Sequence, residues 1–156
     1  MMPAEGAFEG EGRKLLWRVL HFDPIADSRG SLISLEFGAA VPFFAKRVYY
    51  IYATAPEVRR GAHAHRALRQ VMVAVHGSCK VVLDDRSRRE VFELRSCETG
   101  LYLGPGVWRE MYDFSPDCVL MVLASEHYEE ADYIRNYDDF LAMGLGRSSG
   151  DEGAER

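Results

Sequence analysis

Short apolar runs separated by turn residues fill the middle of the chain, and they predict β-strands. Residues 31–37 (SLISLEF) alternate between apolar and polar positions, whereas residues 46–52 (KRVYYIY) are rich in aromatic and β-branched side chains. Four more runs of similar character lie at 70–77, 79–85, 89–96 and 118–125. Many short strands with frequent turn signals are typical of a β-sandwich or a small barrel. We therefore predict an all-β fold.

The C-terminal part of the pattern indicates helix instead. Residues 129–136 (EEADYIRN) predict a turn or two of helix, and residues 137–144 (YDDFLAMG) predict a short amphipathic helix. The glycine- and glutamate-rich composition of the two ends predicts flexible tails over residues 1–13 and 144–156. A single domain over residues 14–143 remains, because no repeat or linker divides it.

The run at 70–77 (QVMVAVHG) has apolar residues on both faces of the predicted strand. Such a strand is covered on both sides in the folded protein. In an antiparallel protein a second sheet provides one cover, and a partner subunit is a candidate for the other. We therefore expect a homodimer.

Composition and charge exclude several classes of partner. Apolar residues make up 47% of the 156 residues, but no apolar run approaches the roughly 20 residues of a membrane-spanning helix. With residues 1–13 and 144–156 set aside, 18 acidic and 16 basic residues remain, so the domain lacks the charge of a general nucleic-acid binder. We expect neither a membrane nor nucleic acid as a partner.

The cysteines and the N-terminus predict a cytoplasmic protein. Cys79, Cys97 and Cys118 are odd in number and form no CxxC pair, which is typical of reduced thiols; a catalytic thiol is the alternative. The first residues, MMPAEGAFEGEGRK, lack the basic start and the apolar stretch of a secretory signal.

Two histidines, His63 and His65, stand out in the segment RGAHAHRALRQ. In an extended segment both side chains project from one face, roughly 7 Å apart at ~3.3 Å per residue, which suits a shared metal ion or a shared substrate. The spacing G-x-H-x-H-x4-Q-x6-G resembles the first signature of the cupins, whose metal-binding members use two histidines, a glutamate and a further histidine. Here Gln70 stands near the glutamate position, and Trp108 and Arg109 fill the place of the further histidine.

This departure predicts that the histidines bind no metal. Glutamine is a poor ligand for a transition metal, and a charged arginine is not a ligand. Two histidines alone leave a divalent cation under-coordinated. Histidines satisfied inside a β core are an alternative, but they need several polar partners, so a pocket is favoured. There a histidine can exchange protons near neutral pH, and the fixed charge of Arg60 can hold an anion or stabilise an oxyanion.

Six segments together carry a closer resemblance, which spans roughly residues 20–142. They are DSRGSL (27–32), KRVYYIY (46–52), RGAHAHRALRQ (60–70), HGSCKVVLDD (76–85), GLYLGPGVWREMYDFSPDCVLMVLAS (100–125) and DYIRNYDDF (132–140). The chain resembles the sugar-nucleotide 3,4-ketoisomerases of the WxcM-like branch of the cupins, which act on dTDP-4-keto-6-deoxyglucose. The combination of HAHR, Q, GPxVW and DFS is far more specific than H-x-H alone.

This resemblance implies a cupin jelly-roll barrel with a short C-terminal helical segment, usually assembled as a homodimer. The implied reaction moves a carbonyl from C4 to C3 of a dTDP-linked keto-deoxyhexose, with no metal and no redox cofactor. Its product feeds aminotransferases that make 3-amino-3,6-dideoxy sugars. By resemblance, His65 is the main proton carrier, His63 is its partner, and Arg60 steadies the enediolate.

Further side chains are expected to bind the substrate. Arg47 and Tyr49 share one face of their predicted strand, and Tyr50 and Tyr52 share the other. We favour Arg47 and Tyr49 as the pair that faces the barrel interior, where Arg47 can bind the diphosphate in a bidentate manner. Arg29 is a second phosphate candidate. A surface ion pair is the alternative role for each arginine.

Three more residues are predicted to line the pocket: Tyr102, Trp108 and Gln70. For the two aromatic residues a plain core role is the alternative.

Other functions also stay open. A sugar-nucleotide 3,5-epimerase uses a His–Asp dyad with a tyrosine acid, a pattern that HAHR and Q fit less well. A non-catalytic sugar-nucleotide-binding cupin binds the ligand without hydrogen exchange at C3. A metal-dependent cupin dioxygenase is disfavoured by Gln70 and Arg109.

Overall fold

The computed structural model describes residues 16–144, and the predicted tails lie outside this range apart from Gly144. Within it, the strands are β1 (Trp17–His21), β2 (Ile25–Asp27), β3 (Gly30–Leu32), β4 (Arg47–Tyr52), β5 (Arg60–His65), β6 (Gln70–His76), β7 (Cys79–Asp84), β8 (Arg89–Leu94), β9 (Thr99–Leu103), β10 (Trp108–Tyr112), β11 (Val119–Ala124) and β12 (Tyr133–Ile134). The helical elements are a 3₁₀ turn at Glu130–Asp132 and helix α1 at Tyr137–Ala142.

Two five-stranded antiparallel sheets form the barrel. The first sheet has the strand order β1-β9-β6-β11-β4, and the second has the order β12-β5-β10-β7-β8. Apart from β7 and β8, neighbouring strands in these sheets are not consecutive in the chain, which is the crossover pattern of a jelly roll. Strands β2 and β3 form a separate hairpin. The predicted all-β jelly-roll barrel with a short C-terminal helix is confirmed.

The main core lies between the two sheets, because alternate residues of each strand point inward. From the first sheet, Met72 on β6 and Leu120 and Val122 on β11 are buried there. From the second sheet, Val81 and Leu83 on β7 face them across the barrel. Burial of such apolar side chains is the main favourable term in folding, at roughly 25 cal/mol per Å² removed from water.

The outer face of β6 is covered by the chain itself. Val71 and Val73 on β6 pack against Phe22, Val41 and Phe43, which precede the strand in the sequence. Strand β6 is therefore covered on both sides, as its two apolar faces predict. Residues of the same chain, and not a partner subunit, cover the outer face of β6 in this structure. The apolar faces of β6 therefore give no independent evidence for a partner subunit.

The strand predicted at 31–37 is largely wrong. Only its first two residues belong to β3, and the rest of the segment is irregular. Ile33 and Leu35 are partly buried against the cluster on the outer face of the first sheet. The alternation therefore reflects an irregular segment that lays every second side chain on the sheet, not a strand paired in a ladder.

The helix predicted at 137–144 is confirmed as α1, whereas the one at 129–136 is only half right. Asn136 caps α1, because its side-chain oxygen accepts a hydrogen bond from the backbone N–H of Asp139 at 3.1 Å. Upstream, a single 3₁₀ turn gives way to β12, which pairs with β5. Pairing with the sheet overrides the local helix preference there.

Within the described range, no helix is long and apolar enough to span a membrane.

Candidate active site

One end of the barrel interior is polar, and β5 places the two histidines there. Ala64 between them faces outward, into the cluster that Phe140 of α1 completes. The rings of His63 and His65 therefore share the inner face, with centroids 4.9 Å apart. Tyr133 on β12 packs against both rings, at 5.0 Å from His63 and 4.3 Å from His65.

An open pocket of about 420 Å³ leads from the surface to His63 and Tyr133, and the buried His65 lies against both of these rings. Its lining combines positively charged and aromatic side chains, among them Arg47, Tyr49, Arg60, His63, Tyr133 and Arg135. Cationic and aromatic groups together suit an anionic ligand that also carries rings.

His65 is held by a carboxylate. Its Nδ1 lies 2.9 Å from Oδ2 of Asp132, and the other carboxylate oxygen accepts the backbone N–H of Ala67 at 2.8 Å. The His65 side chain is 1% exposed, and its Nε2 has no hydrogen-bond partner among the described residues. A neutral imidazole that donates from Nδ1 to Asp132 leaves Nε2 as a free proton acceptor.

Arg109 lies beside the histidines with its charge buried. The residue is 0% exposed, it opposes His63 in the β5–β10 ladder, and its three guanidinium nitrogens lack a hydrogen-bond partner among the described residues. Burial lowers the pKa of this guanidinium to about 10, so it is still a cation at neutral pH. An unpaired buried cation is expensive, and it points to an anion that completes the site.

Both histidines are neutral at neutral pH. Burial lowers the pKa of His63 to about 4, and the positive charge of Arg109 acts in the same direction. Burial lowers the pKa of His65 to about 3, again with a contribution from Arg109, although Asp132 opposes the shift. A neutral imidazole is the form that can accept a proton from a substrate.

Strand β4 adds two of the predicted substrate-binding residues to the pocket. Arg47 and Tyr49 both line it, and the Arg47 guanidinium lies 5.3 Å from the centre of the Tyr49 ring. The Tyr49 hydroxyl accepts a hydrogen bond from Nε2 of buried Gln70 at 2.9 Å. Gln70 itself does not line the pocket and contacts it only through Tyr49, and its carbonyl has no partner among the described residues.

Arg60 reaches the same pocket although it is three residues from His63. In a regular strand an odd spacing places two side chains on opposite faces. Strand β5 is not regular, because its register with β10 shifts by one residue at a β-bulge. All three predicted catalytic side chains, His65, His63 and Arg60, therefore lie on the interior side.

Besides Gln70, three predicted substrate-binding residues are not brought to this pocket. Trp108 faces outward and packs on Phe140 of α1, because it alternates with inward-facing Arg109 along β10. Tyr102 faces the outer cluster of the first sheet. Arg29 lies at the exposed tip of the β2–β3 hairpin, where its 88% exposed side chain pairs with Asp27. For Trp108 and Tyr102 the packing matches the alternative core role.

Sequence reasoning missed Asp132 and Tyr133, and it considered Arg109 only as a residue that cannot bind a metal. Arg109 occupies the position of a metal-binding histidine in other cupins. Because that histidine points into the barrel, the cupin signature could have predicted that Arg109 also points inward. Asp132 is 67 residues from His65, and no local spacing relates them. Tyr133 shares this difficulty, because only the pairing of β12 with β5 brings it opposite His65.

The donor set around the histidines fits a divalent cation poorly. The group beside them is the Arg109 guanidinium, whose positive charge repels a metal ion. Across residues 16–144, no group of three or more His, Cys, Asp or Glu side chains is arranged to hold one.

Comparison with known proteins gives consistent relatives. A family model described as FdtA, WxcM-like, C-terminal, matches residues 16–144. A TDP-4-oxo-6-deoxy-α-D-glucose-3,4-oxoisomerase from Aneurinibacillus thermoaerophilus is 54% identical over 123 residues, which are 79% of this chain and 88% of the relative.

Two crystal structures of enzymes agree with this match. A histidine-to-asparagine mutant of the 3,4-ketoisomerase QdtA from Thermoanaerobacterium thermosaccharolyticum, in complex with TDP-4-keto-6-deoxyglucose, is 42% identical with a TM-score of 0.83, and the match covers 87% of this chain and 99% of that chain. A 3,4-ketoisomerase from Helicobacter canadensis is 48% identical with a TM-score of 0.79, over 81% of this chain and 96% of the other. The family predicted from the motifs is confirmed: the chain belongs to the WxcM-like family of sugar 3,4-ketoisomerases.

Proposed function

We propose that this protein moves the keto group of dTDP-4-keto-6-deoxyglucose from C4 to C3 by histidine acid–base catalysis. The observation that carries this proposal is the buried His65, oriented by Asp132, whose Nε2 has no hydrogen-bond partner among the described residues and lies near the unpaired Arg109. The substrate is that named for the Aneurinibacillus relative and bound in the QdtA complex.

His65 is the base that begins the reaction. The C4 carbonyl acidifies the hydrogen on C3, and Nε2 of His65 removes it as a proton. The electron pair of the C3–H bond forms a C3=C4 double bond, and the carbonyl electrons move to the C4 oxygen. Asp132 stabilises the imidazolium that results, because its carboxylate accepts the Nδ1 hydrogen.

Arg109 stabilises the enediolate. Its guanidinium donors have no partner among the described residues, so they are free to bind the oxygen on which negative charge develops. A preorganised cation in a buried site acts strongly, because little reorganisation is required when the charge forms. Arg60 at the mouth of the pocket adds a second positive charge on the same side.

The second half of the reaction returns the proton to carbon. His63 carries the proton from the C3 hydroxyl to the C4 oxygen, while the imidazolium of His65 protonates C4. The product has a C3 ketone and a C4 hydroxyl, so electrons and protons balance without a redox cofactor or a metal. Because a 3-keto sugar has the carbonyl that an aminotransferase requires, we propose that this step serves the synthesis of 3-amino-3,6-dideoxy sugars.

The remaining pocket residues hold the nucleotide part. Arg47 lies against the rings of Tyr49 and Tyr128, at 5.3 and 5.8 Å, and its positive charge in the pocket supports our proposal that it binds the diphosphate. The aromatic rings support binding of the thymine base by stacking.

Proton NMR of the chelator-treated protein with dTDP-4-keto-6-deoxyglucose in D₂O tests this function. The expected result is a 3-keto product with deuterium at C4; the same reaction run in H₂O retains H4, whose coupling to H5 gives the C4 configuration. Tight binding with no exchange and no product would favour a non-catalytic sugar-nucleotide-binding cupin instead.

A sugar-nucleotide 3,5-epimerase is the second candidate. The His65–Asp132 pair and the neighbouring Tyr133 make up the kind of dyad and tyrosine that such an enzyme uses, although the sequence pattern did not predict them. The same NMR experiment separates the two functions, because an epimerase introduces deuterium at both C3 and C5 and leaves the C4 ketone in place.

We also propose a homodimer in solution. Strand β4 is an edge of the first sheet, and Val48, Tyr50 and Tyr52 on its outer face are exposed. Exposed apolar side chains along an edge strand favour association with another chain. Sedimentation equilibrium measures the mass directly, and a mass of one chain across the micromolar range would contradict the dimer.

A further inference from the structure

The bulge in β5 decides which arginine faces the active site. In a regular ladder each step along β10 matches one step along β5. The observed pairs are His63 with Arg109, Gly61 with Glu110, and Arg60 with Met111. Ala62 is therefore an extra residue, and the direction of every earlier side chain is inverted relative to the regular register.

The partners on β10 show the result of this inversion. Met111 faces the barrel core, so Arg60 opposite it faces the pocket. Glu110 faces outward, where its carboxylate pairs with Arg59 at 3.1 Å. Arg59 also lies 4.3 Å from the ring centre of Tyr112. Two consecutive arginines thus lie on opposite sides of the sheet.

A regular register would exchange their directions. With Ala62 opposite Glu110 and Gly61 opposite Met111, Arg60 would point outward and Arg59 inward. The inward arginine would then stand one residue further from the histidines, a displacement of ~3.3 Å along the strand.

The local backbone supports the bulge in two ways. Gly61 has φ of +86° and Ala62 has φ of +54°, so both occupy the left-handed region. A Cβ on Gly61 would lie 2.9 Å from the backbone oxygen of Arg109, which excludes larger residues from this position. Alanine tolerates the left-handed region at modest cost, whereas a β-branched residue does not.

We propose that the Gly61–Ala62 bulge is a positioning element that selects Arg60 as the arginine of the active site. The inference rests on the proposed function, in which Arg60 binds the anionic nucleotide sugar or its enediolate. The bulge itself contacts no substrate, and it acts through the direction that it gives to Arg60.

A set of variants separates the bulge from other effects. Ala62→Val disfavours the left-handed conformation and favours the regular register, whereas Ala62→Gly keeps the bulge and relieves its strain. Deletion of Ala62 removes the extra residue but leaves Gly61 opposite Glu110 and Arg60 opposite Met111, and the exposed loop before β5 can absorb the lost length. Two further variants, Arg60→Ala and the double variant Arg60→Ala/Ala62→Val, complete a double-mutant cycle with Ala62→Val and the wild type.

The readouts are TDP affinity by calorimetry and the kcat and KM of isomerisation. We expect Ala62→Val to reproduce the loss caused by Arg60→Ala, and the double variant to lose no more than about twofold beyond either. The glycine variant and the deletion should match the wild type. Arg59→Ala is the matched control, and TDP affinity should be unchanged.

Other results would overturn the inference. Suppose that the deletion lowers TDP affinity and kcat as much as Ala62→Val does, while circular dichroism shows that both variants are folded. The bulge then does not act through the direction of Arg60. Additive losses in the cycle would lead to the same conclusion. A wild-type protein that binds TDP but does not isomerise the sugar refutes the proposed function alone, because the affinity cycle still tests the bulge.

Discussion

The carboxylate of Asp132 lies 2.9 Å from Nδ1 of His65, although the two residues are 67 positions apart in the chain. The backbone N–H of Ala67 fixes the second carboxylate oxygen at 2.8 Å, so the carboxylate has a single orientation. The imidazole is thereby held in the tautomer that leaves Nε2 free. In the proposed mechanism, this geometry makes Asp132 a positioning residue for His65.

Asp132→Asn keeps the shape of this side chain and removes its charge. We expect kcat to fall by about 10²-fold, because the imidazolium formed during proton transfer loses its counter-ion. Asp132 raises the pKa of His65 against the effect of burial, so the acid limb of the pH–kcat/KM profile should move to lower pH. Stopped-assay kinetics across pH measure both effects. Asp113→Asn, at an exposed ion pair with Lys80, is the control.

His65→Asn should nearly abolish isomerisation, by about 10²- to 10⁴-fold, because it removes the base. His63→Asn should cause a smaller loss, on the order of tenfold, if His63 only relays a proton between oxygens. TDP affinity should be retained in both variants. His76→Asn, on an exposed histidine, serves as the control. Full activity in both pocket variants would contradict the proton-transfer assignment.

Arg109→Met should separate stability from activity. The substitution replaces a buried unpaired cation by an apolar side chain of similar length, so we expect the free energy of unfolding to rise by about 1–3 kcal/mol. Isomerisation should fall by about 10²-fold, because the enediolate loses its preorganised cation. Urea denaturation and NMR assays measure the two effects. A destabilised variant, relative to the exposed control Arg95→Met, would show that Arg109 is paired in the folded protein.

Arg47→Ala should weaken TDP binding more than it slows turnover. Its guanidinium lines the pocket against Tyr49 and is proposed to bind the diphosphate and not the reacting carbons, so we expect it to contribute to ground-state and transition-state binding alike. Calorimetry with TDP and steady-state kinetics distinguish the two effects, with Arg95→Ala as the control. Unchanged TDP affinity would remove Arg47 from the diphosphate site.

The low pKa values of the two histidines predict a loss of stability in acid. In the unfolded chain both titrate near 6.5, whereas in the folded protein they titrate near 4 and 3. Below pH 6.5 the unfolded state therefore binds more protons, and the free energy of unfolding falls as the pH decreases toward 4. The slope is at most about 1.4 kcal/mol per pH unit for each histidine. Urea titrations from pH 7 to 4.5 should show a shallower slope in His63→Asn.

The fold was largely predictable because its signals are local. Residues 46–52 and 70–77 carry the side-chain patterns of strands, and they form β4 and β6. Residues 31–37 show why such patterns also mislead: an irregular segment that lies on a sheet buries alternate side chains just as a strand does. Hydrogen bonding distinguishes the two cases, and it depends on partners distant in the chain.

The active site was predictable only in part. His63 and His65 form a local signature, and strand parity suffices to place them together. Arg60 does not follow from parity, because the bulge inverts its direction. Asp132 reaches His65 only through the pairing of β12 with β5, a contact that a spacing within one segment cannot reveal.

The late position of β12 in the chain has a consequence for synthesis in the cell. The ribosome completes every strand of the first sheet and four of the five in the second before Asp132 and Tyr133 emerge. A nascent chain can therefore assemble most of the barrel while His65 still lacks the carboxylate that orients it. Cleavage just before β12 would remove Asp132 from His65 and would also remove Ile134 and Phe140, which pack with Trp108, so one lesion would affect both the site and the core.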